Sequence, residues 1–241
     1  METSNPLLQR DIDFSATEAT GSMTLNGTIH KSGLLLLLCI GAAFFSYVNP
    51  QLQLPLILVG VFGGLIACLV GTFKPNFSPI AAPAYAVLDG LALGAISSIY
   101  EHNFRGYPGI VANAMLLTFS VMGLMLFLYA TRIVRVTDRM VMGIMMATGA
   151  VALVYLIDIV LGMFGVHVPG LKSSGPVGIG ISLVIVGIAA FNLLVDFAII
   201  ESNVQQGAPK YMEWYCGMAL LVTLVWLYLE ILRLLSKLQK R

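Results

Sequence analysis

Charge is scarce in this chain. Only 10% of its 241 residues are Asp, Glu, Lys or Arg, against roughly 25% in soluble domains. At the same time 58% are hydrophobic and the mean hydropathy is +0.90. That balance excludes an ordinary soluble domain and requires lipid as a neighbour. Cysteine is scarce too. Cys39, Cys68 and Cys216 sit singly in apolar segments with no CxxC spacing, which argues against a disulfide or zinc framework and for small buried hydrophobes. A net charge of +1 without a large basic patch gives no support for nucleic acid as a partner. Residues 1–30 lack the short apolar core of a cleaved secretory signal and read as a loosely ordered polar tail. The chain therefore divides into a tail, 1–30, and a membrane domain, 31–241.

The usual catalytic signatures are also missing. Neither HExxH nor GxSxG occurs, and neither do GxxxxGK[ST] and GxGxxG, so the common metalloprotease, serine-hydrolase and nucleotide-binding patterns are absent. His30, His102 and His167 lie outside or at the ends of apolar segments and form no ligand cluster. A retinal protein needs a mid-membrane lysine for its Schiff base, and the last apolar segment offers only Lys237, at its end. No enzyme and no cofactor are expected.

Long hydrophobic runs are what remains. Crossing the hydrocarbon core takes about 20 mostly apolar residues, and seven stretches qualify: about 33–49, 53–73, 79–100, 109–131, 141–165, 177–201 and 211–235. They lack the alternation of a barrel strand, and backbone groups in lipid must be satisfied within the segment, so an all-α, seven-helix polytopic membrane protein is expected. The loops are short, with Pro or Gly at most turns, and leave no extramembrane domain for a separate activity. Small residues four apart in "GLALG" (Gly90, Gly94) suit close helix packing. Cations divide seven to six between the two sides. The densest cluster, "TRIVRVTDR", favours a cytoplasmic N-terminus, whereas the tail "RLLSKLQKR" favours a cytoplasmic C-terminus; the first is adopted.

Four carboxylates lie well within these spans: Asp89, Asp158, Asp196 and Glu230. An ionised carboxylate at the bilayer centre costs at least about 2.5 kcal/mol, so each has to face protein, water or a partner. With no Lys or Arg in the middle of a span, acids outnumber their neutralisers. They are then protonated, share protons as coupled pairs, or surround a cation. Each acid has a plain structural alternative as a neutral group bonded to a carbonyl, Tyr, Ser or Asn. Helical spacing adds detail: Asn192 shares a face with Asp196, with Ser182 further along it. Tyr85, Asp89 and Tyr100 share a face on the third helix. On the seventh, Thr223, Trp226, Glu230, Arg233 and Lys237 do so, which lets Glu230 lean on Arg233.

"LVDFAIIE" followed by "LYLEILRLLSKL" resembles the paired signatures in the last two helices of the Bax inhibitor (YccA-like, transmembrane Bax inhibitor motif) family, and "LDGLALG" resembles a motif of its third helix. The resemblance runs from about residue 24 to the end. "MTLNGTIHKSGLLLLL" and "GAPKYMEWY" look like a bacterial branch. It implies a bundle whose C-terminal helix is central, surrounded by the other six. It also implies a pH-dependent calcium leak sensed by one acid in helix six and one in helix seven, here Asp196 and Glu230. Two carboxylates at close range resist double ionisation and share a proton.

Some members engage that pair with an acid and an arginine on helix two. Here "LPLILVGVFGGLIACLVGTFK" has no acid and only terminal Lys74. From a turn near Ala208, at about 1.5 Å per residue, Asp196 lies roughly 18 Å back and Glu230 roughly 33 Å on. Either residues 209–216 are irregular and reset the register, or Glu230 has another neighbour, for which Asp158 is the candidate.

The expectation is thus a bacterial inner-membrane cation leak, gated by Asp196 and Glu230, which are also the candidate calcium ligands. Asp89, Asp158, Asn192 and Arg233 are supporting polar residues, and calcium is the transported ion. The alternative is a regulator without channel activity that binds a membrane protease or another membrane partner through its N-terminal tail.

Overall fold

The computed structural model describes residues 21–104, 108–166, 168, 171 and 173–240. Residues 1–20, which make up most of the expected tail, lie outside the described residues, as do Arg105, His167, Lys172 and Arg241. Seven helices are long and apolar enough to cross a membrane: α1 (Leu25–Tyr47), α2 (Gln53–Phe73), α3 (Ser78–Asn103), α4 (Ile110–Ala130), α5 (Asp138–Met163), α6 (Pro176–Gln205) and α7 (Met212–Gln239). No strand occurs among the described residues. The protein is a polytopic helical membrane protein.

Local chemistry sets the helix ends. Thr24 caps α1, its hydroxyl accepting from the Gly27 N–H at 3.0 Å, so residues 25–30, expected in the tail, are helical. Thr137 caps α5, with Asp138 in the first turn where the helix dipole favours an anion. Prolines open the single 3-10 turns Pro50–Leu52 and Pro75–Phe77, where their missing N–H costs nothing. After α6, Gly207 turns the chain at φ +67°, which a glycine adopts without a Cβ penalty. Because α7 begins at Met212, residues 212–216 are regular helix rather than an irregular segment.

The helices are apolar on nearly all sides, as lipid requires. Of the most apolar stretch of each helix, 56% is buried in α3 and 50% in α7, against 22% or less in α1, α2, α4 and α5, so α3 and α7 are the most buried of the seven. The described chain forms two compact units. The first takes residues up to His102 together with Asp196–Val222, so it holds α1–α3, the end of α6 and the start of α7. Within it α1 and α3 touch backbone to backbone. A Cβ on Gly90 would meet the Cys39 carbonyl oxygen, and one on Gly94 the Ala43 carbonyl oxygen. The four-residue spacing of "GLALG" thus faces the four-residue step of α1. On α2 the small residues Gly60, Gly64, Ala67 and Gly71 are buried, while Val61, Phe62, Leu65 and Ile66 are exposed to the lipid side. The second unit takes Asn103–Val195 and Thr223 onward: α4, α5, most of α6 and the rest of α7.

Candidate functional site: the carboxylates of the spans

Glu230 is the most thoroughly engaged acid. Only 1% of it is exposed. The Tyr155 hydroxyl of α5 donates to both of its oxygens, at 2.8 and 3.0 Å. Arg233, one turn on, reaches both as well, at 2.9 and 3.1 Å, and the Trp226 indole N–H donates at 3.3 Å. Arg233 also donates to the Tyr155 hydroxyl and lies 4.8 Å from that ring's centre. Hydrogen bonds from an arginine to a carboxylate are charge-assisted and fix the geometry of the acid. Tyr155 is a neighbour that α5 supplies to Glu230; Asp158, one turn further, is buried and accepts from the Val168 N–H at 3.0 Å.

Two more polar groups of the same unit are anchored. Asn192 donates to the Thr148 hydroxyl at 2.8 Å and to the Ile188 carbonyl at 2.9 Å. Lys237, 5% exposed, donates to the Leu171 carbonyl at 2.7 Å, the Gly178 carbonyl at 3.0 Å and the Ser182 hydroxyl at 2.8 Å. Three acceptors match the three N–H bonds of an ammonium. The Ser182 stripe on α6 therefore serves a lysine of α7.

In the first unit, Asp89 of α3 is hydrogen-bonded by Tyr85 and lies near Cys39 and Cys68. Its Oδ2 is buried and meets no hydrogen-bond partner among the described residues. Asp196, near the end of α6, is half-buried within electrostatic reach of the Cys216 thiol. Asp196 belongs to the first unit and Glu230 to the second. Among the described residues no group of three or more His, Cys, Asp or Glu is placed to hold a metal ion.

A family model described as Bax inhibitor 1 like matches residues 5–240. The chain belongs to that family. No curated protein and no solved structure matches it. Within this Bax inhibitor 1 like chain, the acid of the last helix has its own arginine three residues away.

One further acid stands at the edge of the seventh apolar stretch rather than well within it. Glu213, 1% exposed in the first turn of α7, forms an ion pair with Lys31 of α1. It also accepts from the Thr24 N–H at 2.9 Å and the Thr24 hydroxyl at 3.0 Å. The first helix begins before its apolar stretch and the last ends beyond its own, which brings Lys31 and Lys237 inside helices. The shortage of cations is correspondingly smaller than the apolar stretches alone imply. A Thr followed by a polar first turn was the available signal for the early start of α1.

Proposed function

We propose that this Bax inhibitor 1 like protein is a pH-sensitive cation leak, with calcium as the transported ion and Asp196 and Glu230 as its gate. The observation that carries the reading is Glu230, a carboxylate 1% exposed in an apolar helix and bonded to Arg233 and Tyr155. Protonation would cancel its attraction for Arg233 and make the arginine the uncompensated charge, so proton uptake there changes how α7 holds α5. Asp89 and Asp158 add polar positions on α3 and α5, and the expected location is a bacterial inner membrane with the N-terminus cytoplasmic.

Purified protein in calcium-loaded vesicles tests this across pH. Wild type should leak with a pH-dependent rate, and Asp196→Asn and Glu230→Gln should each flatten that dependence. Flux that keeps the wild-type pH dependence in both variants would remove the gating role.

The second reading is a regulator that binds a membrane partner through the segment before α1. It is favoured by residues 21–24 being fastened to the α6–α7 connection, which holds the last residues before α1 in place. Deleting residues 1–20 should then abolish the cellular phenotype while the acid substitutions leave it intact.

A further inference from the structure

The four residues before α1 lie against the connection between α6 and α7. Ser22 pairs antiparallel with Pro209. The Met23 N–H donates to the Ala208 carbonyl at 2.6 Å, and the Lys210 N–H donates to the Gly21 carbonyl at 3.0 Å. A bridge this short does not hold itself together in water, so something else keeps it closed. One anchor is apolar: Met23, 2% exposed, packs with Ile200, Ala208, Met212 and Cys216. The other is Glu213.

Both oxygens of that carboxylate are turned to the start of α1. Oε1 accepts from the Thr24 N–H and the Thr24 hydroxyl, and Oε2 pairs with the Lys31 ammonium, which lies 5.3 Å from the centre of the Trp214 ring. The fit is tight on a third side, where a Cβ on Gly27 would collide with the carboxylate. Glycine at 27 is therefore a steric condition for the lock, in a helix where it is otherwise unfavourable by comparison with alanine.

We propose that residues 21–24 are a releasable strap locked by Glu213. In the docked state the strap covers the Met212–Cys216 face; in the open state the segment before α1 leaves the α6–α7 connection while the seven helices stay formed. One methionine and one carboxylate hold it, while Gly21, Ser22 and Thr24 themselves are exposed, so losing either anchor opens it. Glu213 sits on the helix that carries Glu230, and opening therefore also removes a restraint on that helix. The strap stands independently of any transport activity.

Cys216, 2% exposed beneath Met23, reports the state. In full-length protein carrying Cys39→Ala and Cys68→Ala, its reaction with N-ethylmaleimide is followed by peptide mass. Glu213→Gln and Gly27→Val should each speed labelling at least tenfold, with helical content unchanged by circular dichroism. A Ser22→Cys/Pro209→Cys disulfide added to Glu213→Gln should restore slow labelling. Unchanged rates in both single variants would overturn the proposal. Fast labelling that the disulfide does not slow would overturn it equally, because the exposure would then come from general loosening.

Discussion

Removing the Tyr155 hydroxyl tests the Glu230 cluster most directly. In Tyr155→Phe the ring stays, while Glu230 loses a donor that reaches both its oxygens at 2.8 and 3.0 Å and Arg233 loses an acceptor. A hydrogen bond to a charged group contributes about 1.5–3 kcal/mol. The Arg233 side chain is 36% exposed, so it can partly compensate by turning to water, and the lower part of that range applies: about 2 kcal/mol. In a Glu230→Gln background the same hydroxyl faces a neutral amide, and its removal should cost only about 0.5–1 kcal/mol. The coupling between the two sites is then about 1 kcal/mol or more. Reversible unfolding in mixed micelles of the two single variants and the double variant measures it. Equal costs of Tyr155→Phe in both backgrounds would refute the charge-assisted cluster and leave Tyr155 as a packing residue only.

Lys237→Met leaves the Leu171 and Gly178 carbonyls and the Ser182 hydroxyl without their shared donor, and thermal unfolding should register a loss of about 1–3 kcal/mol. Ser182→Ala removes one of three acceptors and should cost less than Lys237→Met in the same assay. Gly94→Val places a side chain where the Ala43 carbonyl already sits; folded yield after membrane extraction should fall sharply, whereas Gly123→Val, with open space around its Cβ position, should extract like wild type. Asn192→Leu breaks the interhelical bond to Thr148, and since such bonds in lipid average about 0.6 kcal/mol, it should lower the melting temperature only slightly.

Much of the architecture is legible in the residues alone, because apolar runs of about 20 leave few alternatives in a bilayer. The i,i+3 spacing of Glu230 and Arg233 likewise announces their pairing. Hydropathy marks the lipid-facing length of a helix and not its hydrogen-bonded length, however. The first turns of α1, "LNGTIHK", look like tail although the helix starts at Leu25, while "YMEW" marks only the edge of the seventh apolar stretch, where the helix starts at Met212. Lys31 goes unnoticed for that reason, and Glu213 because an acid at the very start of a stretch reads as an end residue. Tyr155 is illegible for another: it stands 75 residues from Glu230, and one tyrosine in an apolar run carries no periodic signal. No spacing rule reports which helix face meets which.

The Lys31–Glu213 and Arg233–Glu230 ion pairs differ in how a chain being synthesised can form them. Glu230 and Arg233 are separated by three residues, so α7 carries its own counter-charge and enters the bilayer as a nearly neutral rod, cheaper to insert than a lone acid. Lys31 and Glu213 are 182 residues apart. The lysine is made with the first helix and waits through five more before its partner exists. The lock at the start of α1 can therefore close only when the last helix has begun to appear, and its closure marks a finished bundle.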